Sequence, residues 1–467
     1  MIIDAPIDEE VPAACAEPRD VASPNGAGLR SAVRHAVLTL FDQSAVSGVR
    51  FLTTVIVGRA CGPEELGIYT LGFAVLVVFS AALESLIFTP LVVYGSRLQG
   101  TAQRVYWGSV LGIAVLVAVA TAVSLGALGL LLMGVSAPGF AALLGILTLA
   151  GPAILAWEFC RWFSLAHRRL DQAIVVDVGV AVFQSGMVLG LATTGTLSAA
   201  TAYLAIAAVC AVNAGCWLYR SRSSFVLRQA RVLPVLTRHW SLARWIFASR
   251  VTYGAINPVI FWILASWGNA AEVGQLSACM TVIFLYNPIL LGINNFFFPR
   301  AVDALHRGGR AGLRRTVWKN TWIWAGGLAL IAAPMIVVGQ QMVQWIYGNA
   351  YAGHQVTIVF LALVAPAAAW MIVSYGGLSA LERTDLTFAA TGAAMAGSAG
   401  VSAVLVPQWG IDGAACAVLA CPIVAAVLAT AVFQAATRPP AVEPNDKDHQ
   451  TFRCPTSAAT QVDARTP

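Results

Sequence analysis

The chain has 467 residues, of which 58% are hydrophobic and only 11% are charged, and its formal net charge is +6 at pH 7. A soluble protein carries about 25% charged residues, so this composition excludes a soluble globular protein and indicates an integral membrane protein. The apolar runs are about 20 residues long and lack the alternation of a membrane β-barrel. We therefore expect an all-α polytopic membrane protein.

Polar segments flank the apolar region. Residues 1–36 are net acidic and lack the basic start of a signal peptide, and residues 434–467 are rich in Pro and Thr. We expect both to be disordered cytoplasmic tails. The nine cysteines are odd in number and form no Cys-x-x-Cys pair, and the six histidines are isolated. These patterns favour packing roles over disulfides or a metal site.

Twelve apolar runs predict twelve transmembrane helices, and the gaps between them alternate in charge. The even-numbered gaps carry arginines, whereas the odd-numbered gaps carry only Arg59. Because Lys- and Arg-rich loops mark the cytoplasmic side, the pattern predicts a multi-pass protein with both termini in the cytoplasm. The predicted spans are 37–60, 67–94, 107–133, 139–160, 172–193, 197–219, 242–266, 273–299, 318–339, 355–380, 386–406 and 410–433.

The two halves of the chain share short motifs in the same order. GTLSAATAYLA, from Gly195, aligns with GIDGAACAVLA, from Gly410, and GPEELG (62–67) aligns with GNAAEVG (268–274). Six helices per half leave both halves in one orientation, which is the parallel-repeat plan of transporters. We therefore expect an N-terminal lobe over 37–219, a basic cytoplasmic linker over 220–241 and a C-terminal lobe over 242–433.

Several motifs resemble a known family. FDQSAVSGVRFLTTVIVGRACGPEELGIYTLGFAV (41–75) is similar to the opening of O-antigen-type polysaccharide-biosynthesis flippases, of the multidrug/oligosaccharidyl-lipid/polysaccharide (MOP) exporter superfamily. The resemblance extends over 37–433, and its other motifs are FFFPR (296–300), YGNAYAGH (347–354), LSALERTD (378–385) and PQWGIDGAACA (407–417).

The resemblance implies a MATE-like, two-lobed bundle that works by alternating access. It also implies a cargo, an undecaprenyl-diphosphate-linked oligosaccharide, which crosses the bacterial inner membrane for exopolysaccharide or O-antigen synthesis. Membrane lipids and polysaccharide assembly proteins are further expected partners, and we expect no nucleic acid and no cofactor beyond a coupling cation, Na⁺ or H⁺.

Charged residues inside the predicted spans are the main candidates for function. An ionised side chain near mid-bilayer costs about 2.5–3.5 kcal/mol or more, so it faces a cavity or a partner. Helices one and seven begin the two lobes and should line the central cleft. Since guanidinium groups bind phosphate oxygens bidentately, we expect Arg50 and Arg250 to bind the cargo, with Gln43 and Asn257 as hydrogen-bonding groups.

Two other interpretations of these charges stay open. Arg50 and Arg250 would be structural if they formed ion pairs with Asp42 or Glu84, and Asp42 and Glu84 would alternatively bind a coupling cation. A further pair of acids, Glu158 and Asp177, lies near the predicted cytoplasmic edge. We expect these two acids to be partners of nearby arginines.

The stretch CRWFSLAHRRLDQ (160–172) carries three arginines in one short predicted loop. Its main predicted role is to hold positive charge on the cytoplasmic side. As a second possibility, Arg161, Arg168 and Arg169 form a cytoplasmic entrance that attracts anionic headgroups or the cargo diphosphate.

Two rival functions remain at this stage. A cation-coupled multidrug antiporter would have the same fold. A membrane polysaccharide polymerase or ligase is disfavoured because the predicted outer gaps are short, and the sequence has no Asp-x-Asp nucleotide-sugar site on a soluble domain and no nucleotide-binding glycine loop. We therefore expect a transporter and not an enzyme.

Overall fold

The computed structural model describes residues 26–95, 98–133, 138–167 and 170–438, and within these ranges it is helical with no strand. The all-α prediction is confirmed. The helices are α1 (Gly26–Cys61), α2 (Pro63–Leu83), α3 (Thr89–Gly95), α4 (Gly100–Met133), α5 (Pro138–Ala166), α6 (Leu170–Thr193), α7 (Ala199–Ser221), α8 (Val232–Gly254), α9 (Ile256–Trp267), α10 (Ala270–Ile283), α11 (Asn287–Tyr347), α12 (Gln355–Ala380), α13 (Thr384–Trp409) and α14 (Ile411–Thr437). A π-helical turn, Glu84–Phe88, joins α2 to α3.

Within the described ranges, nine helical runs are long and apolar enough to cross a membrane, or ten if the bent pair α8–α9 is one span. One of the nine, Ala270–Tyr347, has 78 residues and covers two predicted spans, because about 20 residues suffice to cross a bilayer. Gly309 interrupts this run with φ 57° and ψ −158°, outside the helical region. The remaining predicted span, 37–60, falls on α1.

Three predicted boundaries differ from the structure. Residues 26–36 belong to α1 and not to a tail, α8 begins at Val232 inside the predicted linker, and α14 continues to Thr437. The predictions followed hydropathy, whereas helical hydrogen bonding continues through polar residues at the ends of a span. Residues 1–25 and 439–467, the rest of the predicted tails, lie outside the described residues.

Loops alternate between two ends of the bundle. The basic end carries the loops after α3, α5, α7 and α12, and the short-loop end carries the loops after α1, α4, α6, α9, α11 and α13. Helices α1–α7 form the N-terminal lobe. In the C-terminal lobe, α11 packs on α12, and α12 and α13 pack on α14.

The two lobes meet at the short-loop end, where α2 crosses α10 at a pair of glycines. A Cβ atom on Gly67 would overlap the carbonyl oxygen of Ala270, and one on Gly274 would overlap the carbonyl oxygen of Pro63. Only glycine permits this approach of two backbones. The repeat motifs GPEELG and GNAAEVG thus end on the two residues that bring the lobes together.

Further contacts join the lobes at the same end. Arg59 Nη1 donates to the carbonyl oxygens of Trp345 and Ile346, each at 3.1 Å, in the last turn of α11. Tyr351 Oη donates to the Gly58 carbonyl at 2.9 Å. Arg59, the arginine of the predicted odd-numbered gaps, therefore donates hydrogen bonds to carbonyl groups at the C-terminus of α11.

At the basic end, α8 is attached to the N-terminal lobe by His239, which is fully buried. Its Nδ1 lies 2.7 Å from the Leu86 carbonyl oxygen and its Nε2 lies 2.9 Å from Tyr106 Oη. Pro90 has no N–H, so it cannot satisfy the Leu86 carbonyl four residues earlier. A carbonyl only accepts, which places the imidazole proton on Nδ1 and makes Nε2 the acceptor from Tyr106 in the neutral ring.

The chain passes between the lobes at the junction of α8 and α9. α8 packs mainly on α2, α4 and the π-helical turn, whereas α9 packs on α13 and α14. The two helices are bent by 48°. Pro258 contributes to this break because it cannot donate to the Gly254 carbonyl.

Candidate functional site

A cavity of about 320 Å³ lies within the N-terminal lobe and is bordered by α8. Its walls come from α1, α2, the π-helical turn, α5, α6 and α7, so nearly every helix of the lobe contributes. Four charged residues from four different segments line it: Arg50, Glu84, Glu158 and Arg250. Aromatic side chains cover much of the rest: Tyr69, Phe73, Trp157, Trp162 and Tyr203.

An ion pair links α8 to the π-helical turn at the edge of this cavity. Arg250 Nη2 lies 2.9 Å from Glu84 Oε1. The Arg250 side chain is 53% exposed and that of Glu84 is 16% exposed, so the guanidinium has donors free to turn toward a ligand. The sequence offered an ion pair with Glu84 as the structural interpretation of Arg250, and the structure contains this pair. Arg250 also lines the cavity.

Arg50 presents an exposed guanidinium to the same cavity. Its Cζ lies 5.3 Å from the centroid of the Phe73 ring, which is a cation–π contact. Among the described side chains, no carboxylate lies within ion-pair distance of Arg50. Its positive charge is therefore held in place by an aromatic face and is not neutralised by an acid of the described residues.

Glu158, on α5, is nine-tenths buried and lines the same cavity. Ser80 Oγ donates to its Oε1 at 3.0 Å, whereas its Oε2 has no hydrogen-bond partner among the described residues. The sequence placed Glu158 near the cytoplasmic edge because the predicted span ended at residue 160. Since α5 continues to Ala166, Glu158 lies two turns inside the helix.

Arg161 was predicted at the cytoplasmic entrance, and this placement is wrong. Arg161 lies inside α5, is 7% exposed, and its Nε donates to Asp177 Oδ2 on α6 at 2.6 Å. A buried guanidinium needs a partner carboxylate, and Asp177 supplies it, as the alternative interpretation of Asp177 expected. Arg168 and Arg169 lie outside the described residues.

Of the remaining predicted site residues, the structure describes the side chain of Asn257 alone. Asn257 is partly buried in α9 and is not among the residues that line the cavity. The side chains of Asp42 and Gln43 lie outside the described residues, although their backbone belongs to α1. Gln184, which the sequence marks only as a polar residue in a span, does line the cavity, and its Nε2 donates to Thr53 Oγ1 at 2.9 Å.

Sequence reasoning missed most of the cavity wall. Ser80, Trp157 and Trp162 carry no pattern that separates them from lipid-facing or packing residues. The exception is the π-helical turn after α2. Pro90 lies in an apolar run just beyond this turn, and a proline in such a run indicates a local irregularity of the helix close to Glu84.

No protein-family model and no curated protein sequence matches this chain. Solved structures do. An inward-facing multidrug resistance MATE family transporter of the MOP superfamily is 14% identical, with a TM-score of 0.69 over 85% of this chain and 94% of that chain. The lipid II flippase MurJ, in an inward closed conformation, is 12% identical, with a TM-score of 0.67 over 86% and 87%.

An outward-facing MATE family transporter of the superfamily gives a lower TM-score, 0.58, at 12% identity over 87% of this chain and 95% of that chain. The chain therefore has the two-lobed, all-helical fold of MOP superfamily transporters.

Proposed function

We propose that this chain moves a lipid-linked oligosaccharide, carried on an undecaprenyl diphosphate, across the bacterial inner membrane for surface polysaccharide synthesis. The observation that carries the proposal is Arg50, an exposed cation on the cavity wall without a carboxylate partner among the described side chains. A diphosphate is an anion that a guanidinium binds through two parallel hydrogen bonds. An apolar drug would not use such a group.

Arg250 supplies the second cation of the proposed site. Glu84 Oε1 lies 2.9 Å from its guanidinium. An arriving phosphate would compete with Glu84 for the same guanidinium. Because Arg250 stands on α8 and Glu84 on the π-helical turn, this exchange would change the contact between α8 and the N-terminal lobe. Substrate binding would thereby act on the helix that leads into the C-terminal lobe.

Closure at the short-loop end supports alternating access. With the basic end in the cytoplasm, as the loop charges predict, lobes that meet at Gly67 and Gly274 correspond to an inward-facing state. The higher TM-score with the inward-facing relative agrees. The bend between α8 and α9 would be the place where the lobes change their angle. A coupling cation, Na⁺ or H⁺, and contacts with polysaccharide assembly proteins belong to the same proposal.

A cation-coupled multidrug antiporter is the second candidate. Glu84 and Glu158 favour it, since two carboxyl groups on one cavity suit a cationic drug or a coupling ion. Arg50 and Arg250 oppose it, because two guanidinium groups on the same cavity repel a cation.

Reconstituted vesicles distinguish the two functions. The purified chain would be inserted into liposomes that contain a fluorescent undecaprenyl-diphosphate oligosaccharide, and the fraction reaching the opposite leaflet would be measured by an impermeant quencher. The flippase function predicts protein-dependent transfer that Arg50→Ala reduces at least about tenfold and Arg50→Lys reduces less. Arg310→Ala is the control, because Arg310 is exposed at the basic end. Transfer no faster than in empty vesicles, with cation-driven ethidium uptake instead, would establish the antiporter.

A further inference from the structure

A second cavity, of about 620 Å³, lies between α6 and α7 at the basic end of the bundle. Its walls come from the first two turns of α6, the last turns of α7 and the short 3-10 turn Arg222–Ser224. This α6–α7 cavity shares no lining residue with the cavity that Arg50 lines. Most of the residues that line it are polar or charged, among them Asp171, Arg220 and Ser224. Such a lining suits a polar ligand.

Two opposite charges line the α6–α7 cavity without pairing. Asp171 and Arg220 are both exposed. Neither lies within ion-pair distance of the other, or of a different charged side chain of the described residues. A carboxylate accepts hydrogen bonds from an ammonium group, and a guanidinium donates them to a phosphate. A ligand that carries a phosphate and an ammonium group would therefore satisfy both side chains.

The α6–α7 cavity opens on the face of the lobe that turns away from the first cavity. Val175 lines it and is 71% exposed, and Val212, on α7, is 68% exposed. At 3.6 residues per turn, Val175 lies about 140° around α6 from Val180, and Val212 lies about 160° around α7 from Cys210. Val180 and Cys210 both line the first cavity. In a chain that spans the membrane, exposed apolar side chains on the opposite face contact lipid.

The depth of the α6–α7 cavity matches that of lipid headgroups. Tyr219 is 66% exposed in the last turn of α7, and Arg222 Cζ lies 4.4 Å from the centroid of its ring. Tyrosine and arginine side chains are typical of the interface between membrane and water. Val212 lies two turns from Arg220 toward the middle of the span, so an apolar surface continues from the cavity along the hydrocarbon region.

We propose that the α6–α7 cavity binds a phospholipid headgroup with a primary ammonium group, that of phosphatidylethanolamine, from the leaflet at the basic end. Asp171 accepts from the ammonium group, Arg220 donates to the phosphate, and the acyl chains follow Val175 and Val212. A choline headgroup has no N–H to donate to Asp171. The anionic glycerol headgroup of phosphatidylglycerol would place its phosphate beside the Asp171 carboxylate without a cation to balance it.

A cysteine makes binding at this position measurable. Cys216 lines the α6–α7 cavity and is exposed, whereas the other described cysteines are partly or fully buried. A bound lipid should protect Cys216 from N-ethylmaleimide, and peptide mass spectrometry reports its labelling separately. The purified, delipidated full chain would be titrated with phosphatidylethanolamine, phosphatidylcholine and phosphatidylglycerol that have identical acyl chains. We expect phosphatidylethanolamine to protect Cys216 at about tenfold lower concentration than either of the others.

Two variants separate the roles of the two charges. Asp171→Asn should reduce the preference for phosphatidylethanolamine to about twofold or less, because the ammonium group loses its carboxylate. Arg220→Gln should weaken protection by all three lipids about tenfold and keep their order, because each lipid carries a phosphate. Asp303→Asn and Arg228→Gln are the matched controls, since they change exposed charges that do not line the cavity. Both should retain the wild-type concentrations.

Equal protection by the three lipids in wild type, or an unchanged preference in Asp171→Asn, would overturn the proposal. Glycerophosphoethanolamine, which has the same headgroup and no acyl chains, distinguishes a lipid from a soluble phosphate ester. It should leave Cys216 labelling unchanged at concentrations at which the lipid protects. Protection by this compound at the same concentration as the lipid would make the ligand a soluble phosphate ester and overturn the assignment to a lipid.

Discussion

The hydroxyl oxygens of Thr70 on α2 and Ser277 on α10 lie 2.9 Å apart and share a hydrogen bond, and the two residues are 207 positions apart in the chain. Gly67 and Gly274, one turn earlier on the same helices, have the same separation. Equivalent residues of the two halves therefore face each other across the lobe interface. This is the arrangement that a parallel repeat, with a pseudo-two-fold axis between its halves, predicts.

Gly67→Ala should block closure of the short-loop end. The added Cβ overlaps the Ala270 carbonyl oxygen, and overpacking of this kind costs about 1–3 kcal/mol, which shifts the balance between closed and open states by about tenfold or more. A maleimide accessibility assay on a cysteine placed at Ser277 would report the opening. Gly186→Ala adds a methyl group where α6 has open space, and it should leave labelling unchanged; equal labelling of both variants would argue against the prediction.

Breaking the Glu84–Arg250 pair should affect transport far more than stability. Arg250 is half exposed, and exposed ion pairs contribute about 0–1 kcal/mol. We expect Arg250→Gln to move the unfolding temperature little and to slow transfer of the lipid-linked probe about tenfold. Arg383→Gln breaks the exposed pair with Asp385 and serves as the control, with normal transfer. A large loss of stability in Arg250→Gln with normal transfer would make the pair purely structural.

His239→Phe should destabilise the attachment of α8 to the N-terminal lobe. The substitution leaves the Leu86 carbonyl without its donor at 2.7 Å, at a cost of about 1–3 kcal/mol. Pro90→Ala restores a backbone N–H four residues after Leu86, so in the Pro90→Ala background the same substitution should cost less. Thermal unfolding of the four proteins in this double-mutant cycle measures the coupling. If the two substitutions had additive effects on the free energy of unfolding, the stabilisation by His239 would not depend on Pro90.

His354, in the loop before α12, should make the protein less stable in mild acid. Burial lowers the pKa of His354 below its usual range, although Asp412 partly opposes the shift. The unfolded chain then binds the proton at a higher pH than the folded protein, so stability is lost as the pH falls below about 6.5. The unfolding temperature should drop less between pH 7 and pH 5 in His354→Gln than in wild type. Parallel pH profiles for the two proteins would remove His354 from this dependence.

Hydropathy and loop charge were sufficient to predict the helical class and the positions of the spans, because a bilayer-spanning helix leaves a long apolar run that no other structure explains. The repeat aligned Gly67 with Gly274, but it did not predict that the two backbones meet there. The partners of the buried charges were harder to predict. Glu84 and Arg250 are far apart in sequence, and their contact depends on the π-helical turn and on the docking of α8.

Arg161 shows why the site was only partly predictable. A hydropathy boundary at residue 160 made Arg161 a loop residue, yet the helix continues for more than a turn and buries it against Asp177. Hydropathy does not distinguish a charge in a loop from a paired charge near the end of a span. The same boundary placed Glu158 near the cytoplasmic edge of its span, whereas in the structure Glu158 lines the cavity.

The attachment of α8 has a consequence for where the two lobes are joined. The covalent crossover of residues 222–231 runs along the N-terminal lobe, where the Val226 N–H donates to the Arg104 carbonyl at 3.1 Å and the Arg231 N–H donates to Ser109 Oγ at 2.9 Å. The crossover is therefore hydrogen-bonded to α4 of the N-terminal lobe. α8, which the sequence assigns to the C-terminal half, is therefore carried by the N-terminal lobe, and the joint between the two lobes lies in the bend that follows Gly254.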